Sequence, residues 1–172
     1  KTHCVTISFR GTGLDVDVVP VLYEGDPEDK GYLIEKETGD RVLTSIPLHL
    51  EFIRTRKDAQ PTHFAQLVRL VKWWVRLQKV QRSNFRFKSF MVELILAHLL
   101  GKGVDFSNYP LALEQFFAYI VKTELKEQVY FTDYYLDSAV PNRSSAPIEI
   151  IDPVNPANNV AMRYSDEQRL AI

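Results

Sequence analysis

The feature that most constrains the fold is a change of period at Thr44-Ser45-Ile46-Pro47. Before it, apolar and polar residues alternate in short runs separated by glycines, the signature of paired strands. After it, apolar residues recur every three or four positions, the signature of helices packed on one face. A chain that reads this way is α+β, with a small sheet at its N-terminal side and a helical lobe behind it. The division falls into residues 1–46, the sheet, and residues 47–172, the helical lobe.

In the first part, Cys4-Val5-Thr6-Ile7-Ser8-Phe9 and Leu14-Asp15-Val16-Asp17-Val18 flank Gly11-Thr12-Gly13 and read as a hairpin. Gly11 and Gly13 are also the residue type of a phosphate-cradling loop, but turn chemistry explains them more simply. Pro20 lacks a ladder donor and marks a strand end. Residues 24–31 form a polar loop. Tyr32-Leu33-Ile34 and Val42-Leu43 flank Lys36-Glu37-Thr38-Gly39-Asp40-Arg41 as a second, shorter hairpin.

Residues 14–22 hold carboxylates inside an otherwise apolar run. Alternation places Asp15 and Asp17 on one strand face and Leu14, Val16 and Val18 on the other. Two adjacent carboxylates repel unless water solvates them or a hard cation such as Mg2+ takes their oxygens. Both readings stay open on this stretch alone: a half-buried strand with a solvated acidic face, or part of a metal-assisted phosphoryl-transfer site.

In the second part, Leu48, Phe52 and Ile53 open the helical pattern. The strongest helix spans residues 62–81, with Phe64, Leu67, Val71, Trp74, Leu77 and Val80 on one stripe and Arg69, Lys72, Arg76 and Lys79 on another face, in isolation a solvated row. A basic connector, Arg82 to Lys88, leads to Ser89-Phe90-Met91 and an almost wholly apolar helix ended by Gly101. Ser89 is a candidate cap, where the helix N-terminus also favours an anion. His98 reads as a hydrogen-bonded core histidine, with no metal-ligand partner at suitable spacing. Pro110 starts a further helix running to Leu125. Val129-Tyr130-Phe131 and Ile148-Glu149-Ile150-Ile151 read as short strands. Asp152 to Val160 is dense in turn formers and reads as a rigid loop.

The 172 residues carry 21 basic and 22 acidic side chains, so no global basic field advertises nucleic-acid binding, and phosphate recognition must come from a few placed cations. Cys4, the only cysteine, excludes an internal disulfide and a thiolate zinc cluster and fits a reducing compartment. No apolar run approaches the ~20 residues needed to span a bilayer, so the expectation is a cytoplasmic protein without membrane attachment. The chain starts on Lys1 and runs at once into a strand. Ser165-Asp166-Glu167-Gln168 forms a capping box only a turn before Ile172. Both features suggest a segment truncated at both ends.

Four stretches together resemble the oligoadenylate synthase and cyclic GMP–AMP synthase superfamily, and most of all its bacterial CD-NTases of anti-phage defence. They are Leu14 to Leu22; Leu70-Val71-Lys72-Trp73-Trp74; Lys88-Ser89-Phe90 with Glu93-Leu94; and Ile151-Asp152-Pro153-Val154-Asn155-Pro156-Ala157-Asn158-Asn159-Val160. The resemblance covers nearly the whole chain, and its last motif is the most specific.

The resemblance implies a polymerase-β-like nucleotidyltransferase, with residues 1–46 the remainder of its catalytic sheet and 47–172 the C-terminal helical lobe. It makes Asp17 the third metal-binding carboxylate of a site holding two Mg2+ ions (or Mn2+). Asp15 falls where the family often has an acidic residue that is not a ligand. Lys72 and Ser89 would contact the triphosphate of bound ATP or GTP, Phe90 would stack on the base, and Asp152 to Asn159 would shape a wall of the cleft.

The implied reaction joins nucleoside triphosphates into a cyclic oligonucleotide second messenger with release of pyrophosphate. The alternatives are a linear 2′-5′ oligoadenylate synthase-like enzyme, an RNA-tailing enzyme of the same broad fold, or a non-catalytic nucleotide-binding domain. The family's first motif, a Gly-Ser turn followed by Asp-x-Asp on a strand, is missing and would precede Lys1. The segment alone should therefore be inactive and need the missing N-terminal part. A regulatory protein partner and a nucleic-acid activator are both open.

Overall fold

The structure, a computed structural model, describes residues 3–25, 29–35 and 37–172. The chain divides into two compact units, Lys1–His49 and Leu50–Ile172.

The first unit contains two antiparallel sheets. Strands β1 (Val5–Phe9) and β2 (Leu14–Val18) pair in register from Phe9 with Leu14 to Val5 with Val18. The turn between them needs its glycines, because Gly11 and Gly13 adopt φ of 86° and 67°. Pro20 then interrupts the chain, and β3 (Val21–Leu22), β4 (Gly31–Ile34) and β5 (Arg41–Thr44) form a separate sheet in the order β3-β4-β5. Two sheets thus replace the single one expected. Gly31 is held to its residue type by packing: a Cβ there would lie 2.5 Å from Val21 Cγ1. Parts of the polar loop (26–28) and of the second hairpin (36) lie outside the described residues, as do 1 and 2.

The helices begin with α1 (Ile46–Ala59), where Ser45 Oγ accepts from the Leu48 amide at 3.2 Å, and continue with α2 (His63–Gln81), α3 (Ser89–Gly101), α4 (Tyr109–Thr123) and α5 (Asp166–Leu170). In the second unit, α2 buries Phe64, Leu67, Val68, Val71 and Val75, and α3 buries seven of its thirteen residues. Phe116 and Ile120 of α4 join the same core. Asn108 caps α4 by accepting from Leu111 N at 3.2 Å; the helix ends at Thr123 because Glu124 and Leu125 turn to φ of 49° and 55°. The capping box at Ser165 and Gln168 is formed as expected.

Residues 129–131 and 148–151 do not form strands. They make isolated bridges only, Val129 with Ile150 and Ile151 with Asn159. Among the described residues no helix is long and apolar enough to cross a membrane.

Candidate functional site

The β1–β2 pairing puts Thr6 opposite Asp17 and Ser8 opposite Asp15, so all four polar side chains share one face. Thr6 Oγ1 donates to Asp17 Oδ1 at 2.8 Å. The other face carries Val5, Ile7, Phe9, Leu14, Val16 and Val18, all exposed. Asp15 and Asp17 are exposed as well, so within this unit β2 is not the half-buried strand expected and its carboxylates bear no burial cost. Asp15 and Asp17 are hard oxygen donors of the kind Mg2+ takes, but no group of three or more His, Cys, Asp or Glu residues gathers among the described residues. Two carboxylates do not complete a two-metal site.

In the second unit α2 packs on α3 and brings Lys72 to Glu93, which accepts an ion-paired hydrogen bond from Lys72 Nζ. Lys72 is thus not part of a freely solvated row. Ser89 is the first residue of α3 and not its cap; Lys88 takes the cap position without a side-chain cap bond. Because Ser89 and Glu93 are four residues apart they lie on one helix face, one turn apart. Lys72 is therefore held along the same side of α3 as Ser89. A cation beside a helix start is an arrangement suited to phosphate oxygens, since the first turn leaves backbone N–H groups without intrahelical acceptors. Phe90, the next residue, is half-buried against the core.

Lys88 plays a part that the sequence reading missed. Its amide donates to Tyr164 Oη at 3.1 Å and its Nζ to the Val160 carbonyl at 2.8 Å. Burial, with the Arg86 and Arg163 guanidiniums close by, lowers its pKa below the ordinary lysine value. These bonds tie the start of α3 to the segment after the Asp-Pro-x-x-Pro-x-Asn-Asn motif. That motif is internally bonded: Asp152 Oδ1 accepts from Val154 N at 2.9 Å, its Oδ2 from Asn158 Nδ2 at 3.0 Å, and Asn159 Oδ1 from Ile150 N at 3.1 Å and Ala161 N at 2.9 Å. The expected loop is therefore held in place by its own side chains, the buried Asp152 and the half-buried Asn158 and Asn159, which replace water as hydrogen-bond partners. In the sequence Lys88 stood out only as the end of a basic connector and the head of the Lys88-Ser89-Phe90 stretch, neither of which points to Tyr164 or Val160.

His98 is a core residue on α3, but its Nε2 lies 3.5 Å from Glu127 Oε1, a contact that does not amount to a hydrogen bond. It forms no metal centre with the described residues.

No family model matches the sequence. The chain is 59% identical over all 172 residues to the cyclic AMP-AMP-AMP synthase of Escherichia coli (strain MS 115-1), covering 53% of that protein. It is 37% identical over 174 aligned residues to the CBASS oligonucleotide cyclase CdnC of Escherichia coli (strain KTE188), covering 100% of this chain and 52% of that one. Two solved structures of E. coli MS115-1 CdnC match 99% of this chain with a TM-score of 0.89. One, a CdnC:HORMA-deltaN complex, is 58% identical and covered to 52%; the other, CdnC with ATP, is 59% identical and covered to 54%. The chain spans about half the length of these relatives.

Proposed function

We propose that this chain, similar over its whole length to CBASS oligonucleotide cyclases, is part of such an enzyme and supplies the donor-nucleotide contacts for joining nucleoside triphosphates into a cyclic oligonucleotide. The observation that carries this reading is the alignment of Lys72 with Ser89 along one side of α3, held by the Lys72–Glu93 pair. Lys72 contacts the triphosphate, the Ser89 hydroxyl and the α3 N-terminus bind its oxygens, and the Phe90 ring meets the base. Base stacking of this kind contributes about 1–3 kcal/mol. The relative solved with ATP supports ATP as a substrate.

In the reaction a ribose hydroxyl gives up its proton to solvent and attacks the α-phosphorus, a new P–O bond forms, the bond to the oxygen bridging to the β-phosphate breaks, and pyrophosphate leaves with its electron pair. Asp17 is this chain's carboxylate toward the Mg2+ site. When bound there, the metal offsets charge on the attacking and leaving oxygens. Asp17 needs further carboxylates for that site, so the chain by itself binds nucleotide without turning it over. The two sheets of the first unit belong to the catalytic half and the second unit to the helical lobe. The HORMA complex of the relative supports a regulatory protein partner, and the enzyme acts in the bacterial cytoplasm.

The test is titration of ATP and of GTP, each with Mg2+, into this chain and into a protein of the relatives' full length that contains it, with chromatography of the products. Binding by both and a cyclic product from the longer protein alone is the expected result. A linear oligoadenylate product would replace cyclisation with the 2′-5′ synthase reading. Absence of both binding and product in the longer protein would leave an interaction domain.

A further inference from the structure

Helix α2 carries two apolar stripes, and only one of them enters the core. At ~100° per residue, Phe64, Leu67, Val71 and Val75 point to the buried side. Leu70, Trp73, Leu77 and Val80 form a second stripe at spacings of three, four and three, roughly opposite the first. All four are exposed, Trp73 to 62% and Val80 to 80%. The two adjacent tryptophans separate cleanly. Trp74 packs edge-on against Phe85 and Phe117, with ring centroids 5.7 and 4.8 Å away, whereas Trp73 has no ring partner among the described residues.

Along one flank of the exposed stripe run Arg69 and Arg76, with Lys79 further round the same side of the helix. None of the three forms an ion pair or hydrogen bond among the described residues, in contrast to Lys72 with its Glu93. The surrounding sequence offers them nothing: residues 59–92 hold seven cations and no carboxylate, in a chain whose net charge is -1. A ridge of this composition, about 15 Å long, combines an exposed tryptophan, the residue type that dominates binding energy at interfaces, with charges that fix register and steer encounter.

We propose that this face of α2 is a docking surface for an acidic amphipathic helix of a partner protein. The partner lays an apolar seam of about three turns along Leu70, Trp73, Leu77 and Val80 and places Asp or Glu side chains beside Arg69, Arg76 and Lys79. Charge complementarity selects this occupant. A second copy of α2 brings the same apolar seam but no carboxylate, so its cations stay unpaired. The proposal stands apart from the nucleotide reading, because none of these residues is placed at the nucleotide.

The experiment is fluorescence anisotropy with three labelled 21-residue helical peptides that share one leucine seam and differ on one flank, which carries Glu, Gln or Lys. The Glu peptide binds this chain, the Gln peptide binds at least tenfold more weakly, and the Lys peptide does not bind. Trp73→Ala weakens the Glu peptide tenfold or more, and the triple change Arg69→Gln, Arg76→Gln, Lys79→Gln removes the preference for Glu over Gln. All substituted side chains are exposed, and unchanged circular-dichroism melts verify folding; Leu70→Gln with Val80→Gln serves as a second apolar test should Trp73→Ala melt low. Equal binding of all three peptides, or binding insensitive to Trp73→Ala, overturns the proposal. So does a dimer in sedimentation that Trp73→Ala dissolves, which assigns the face to a second copy, and so does loss of Glu-peptide binding in a protein of the relatives' full length that contains this chain, which assigns the face to the rest of that protein. Loss of duplex DNA or anionic vesicle binding in the triple variant, with no peptide binding in the unaltered chain, likewise overturns it in favour of a polyanion surface.

Discussion

Lys72 of α2 and Glu93 of α3 are ion-paired through Nζ and Oε1 across the helix interface, and their side chains remain 36% and 21% exposed. A pair so open to water contributes only ~0–1 kcal/mol to stability. Its larger effect is to hold the lysine one turn along α3 from Ser89. Glu93→Gln should therefore shift the urea midpoint only slightly. Lys72→Ala should weaken ATP binding about tenfold or more, since a charge-assisted hydrogen bond contributes about 1.5–3 kcal/mol. Calorimetric titration with ATP and urea unfolding of both variants check this. Equal stability losses with unaltered ATP affinity would reduce the pair to a packing contact.

Asp17 is exposed on β2 and accepts from Thr6, so Asp17→Asn keeps an acceptor in place and should alter stability by no more than about 0.5 kcal/mol. In a protein of the relatives' full length that contains this chain, the same change should leave ATP binding near normal and lower turnover at least about a hundredfold, because the role proposed for Asp17 is that of a carboxylate toward the metal. Product chromatography beside binding measurements tests it. Normal turnover in Asp17→Asn would remove Asp17 from the site.

Asp152 is buried and accepts bonds from Val154 N and Asn158 Nδ2. Asp152→Ala leaves these donors without that acceptor, at a cost of about 1–3 kcal/mol. Urea unfolding should show it. A second consequence concerns Lys88, which bonds the Val160 carbonyl just beyond this loop: loosening the loop should raise amide exchange at the start of α3. Exchange unchanged there would separate the loop from the helix.

The helices and turns were legible because their signals are local. Gly11 and Gly13 mark a turn with positive φ, Pro110 stands just inside α4, and Ser165 with Gln168 spells out a cap that forms. Three other features depend on partners distant in the chain. Ile148 to Ile151 has the composition of a strand, yet Asn159 takes the Ile150 amide and the Ile148 carbonyl with its own side chain, so no neighbouring strand is needed. Glu93 is 21 residues from Lys72 and Tyr164 is 76 from Lys88, separations that no periodicity encodes. The alternation in β2 correctly assigned faces, but alternation cannot report whether anything covers them. Of the candidate site, the face shared by Asp15 and Asp17 and the helix start at Ser89 were readable; the partner that holds Lys72 was not.

His98 supplies a pH dependence. It is half-buried on α3, and that burial together with the Lys102 cation lowers its pKa below the ordinary 6.5, a shift that Glu127 opposes. Tyr119 of α4 also faces it, with ring centroids 5.8 Å apart. The folded chain therefore takes up this proton less readily than the unfolded chain, and the unfolded state binds more protons as pH falls. Stability is full above about pH 6.5, declines as pH drops below it, and levels off once pH passes under the folded value. Glu127 and Asp133, whose carboxyl pKa values are lowered chiefly by hydrogen bonds from Lys102 and Arg56, lose their stabilising share only at lower pH, below their ordinary values of 4.5 and 3.8. Urea midpoints measured from pH 7.5 down to 5.5 should fall for the unaltered chain and stay nearly flat for His98→Gln. The same slope in both would place the titration elsewhere.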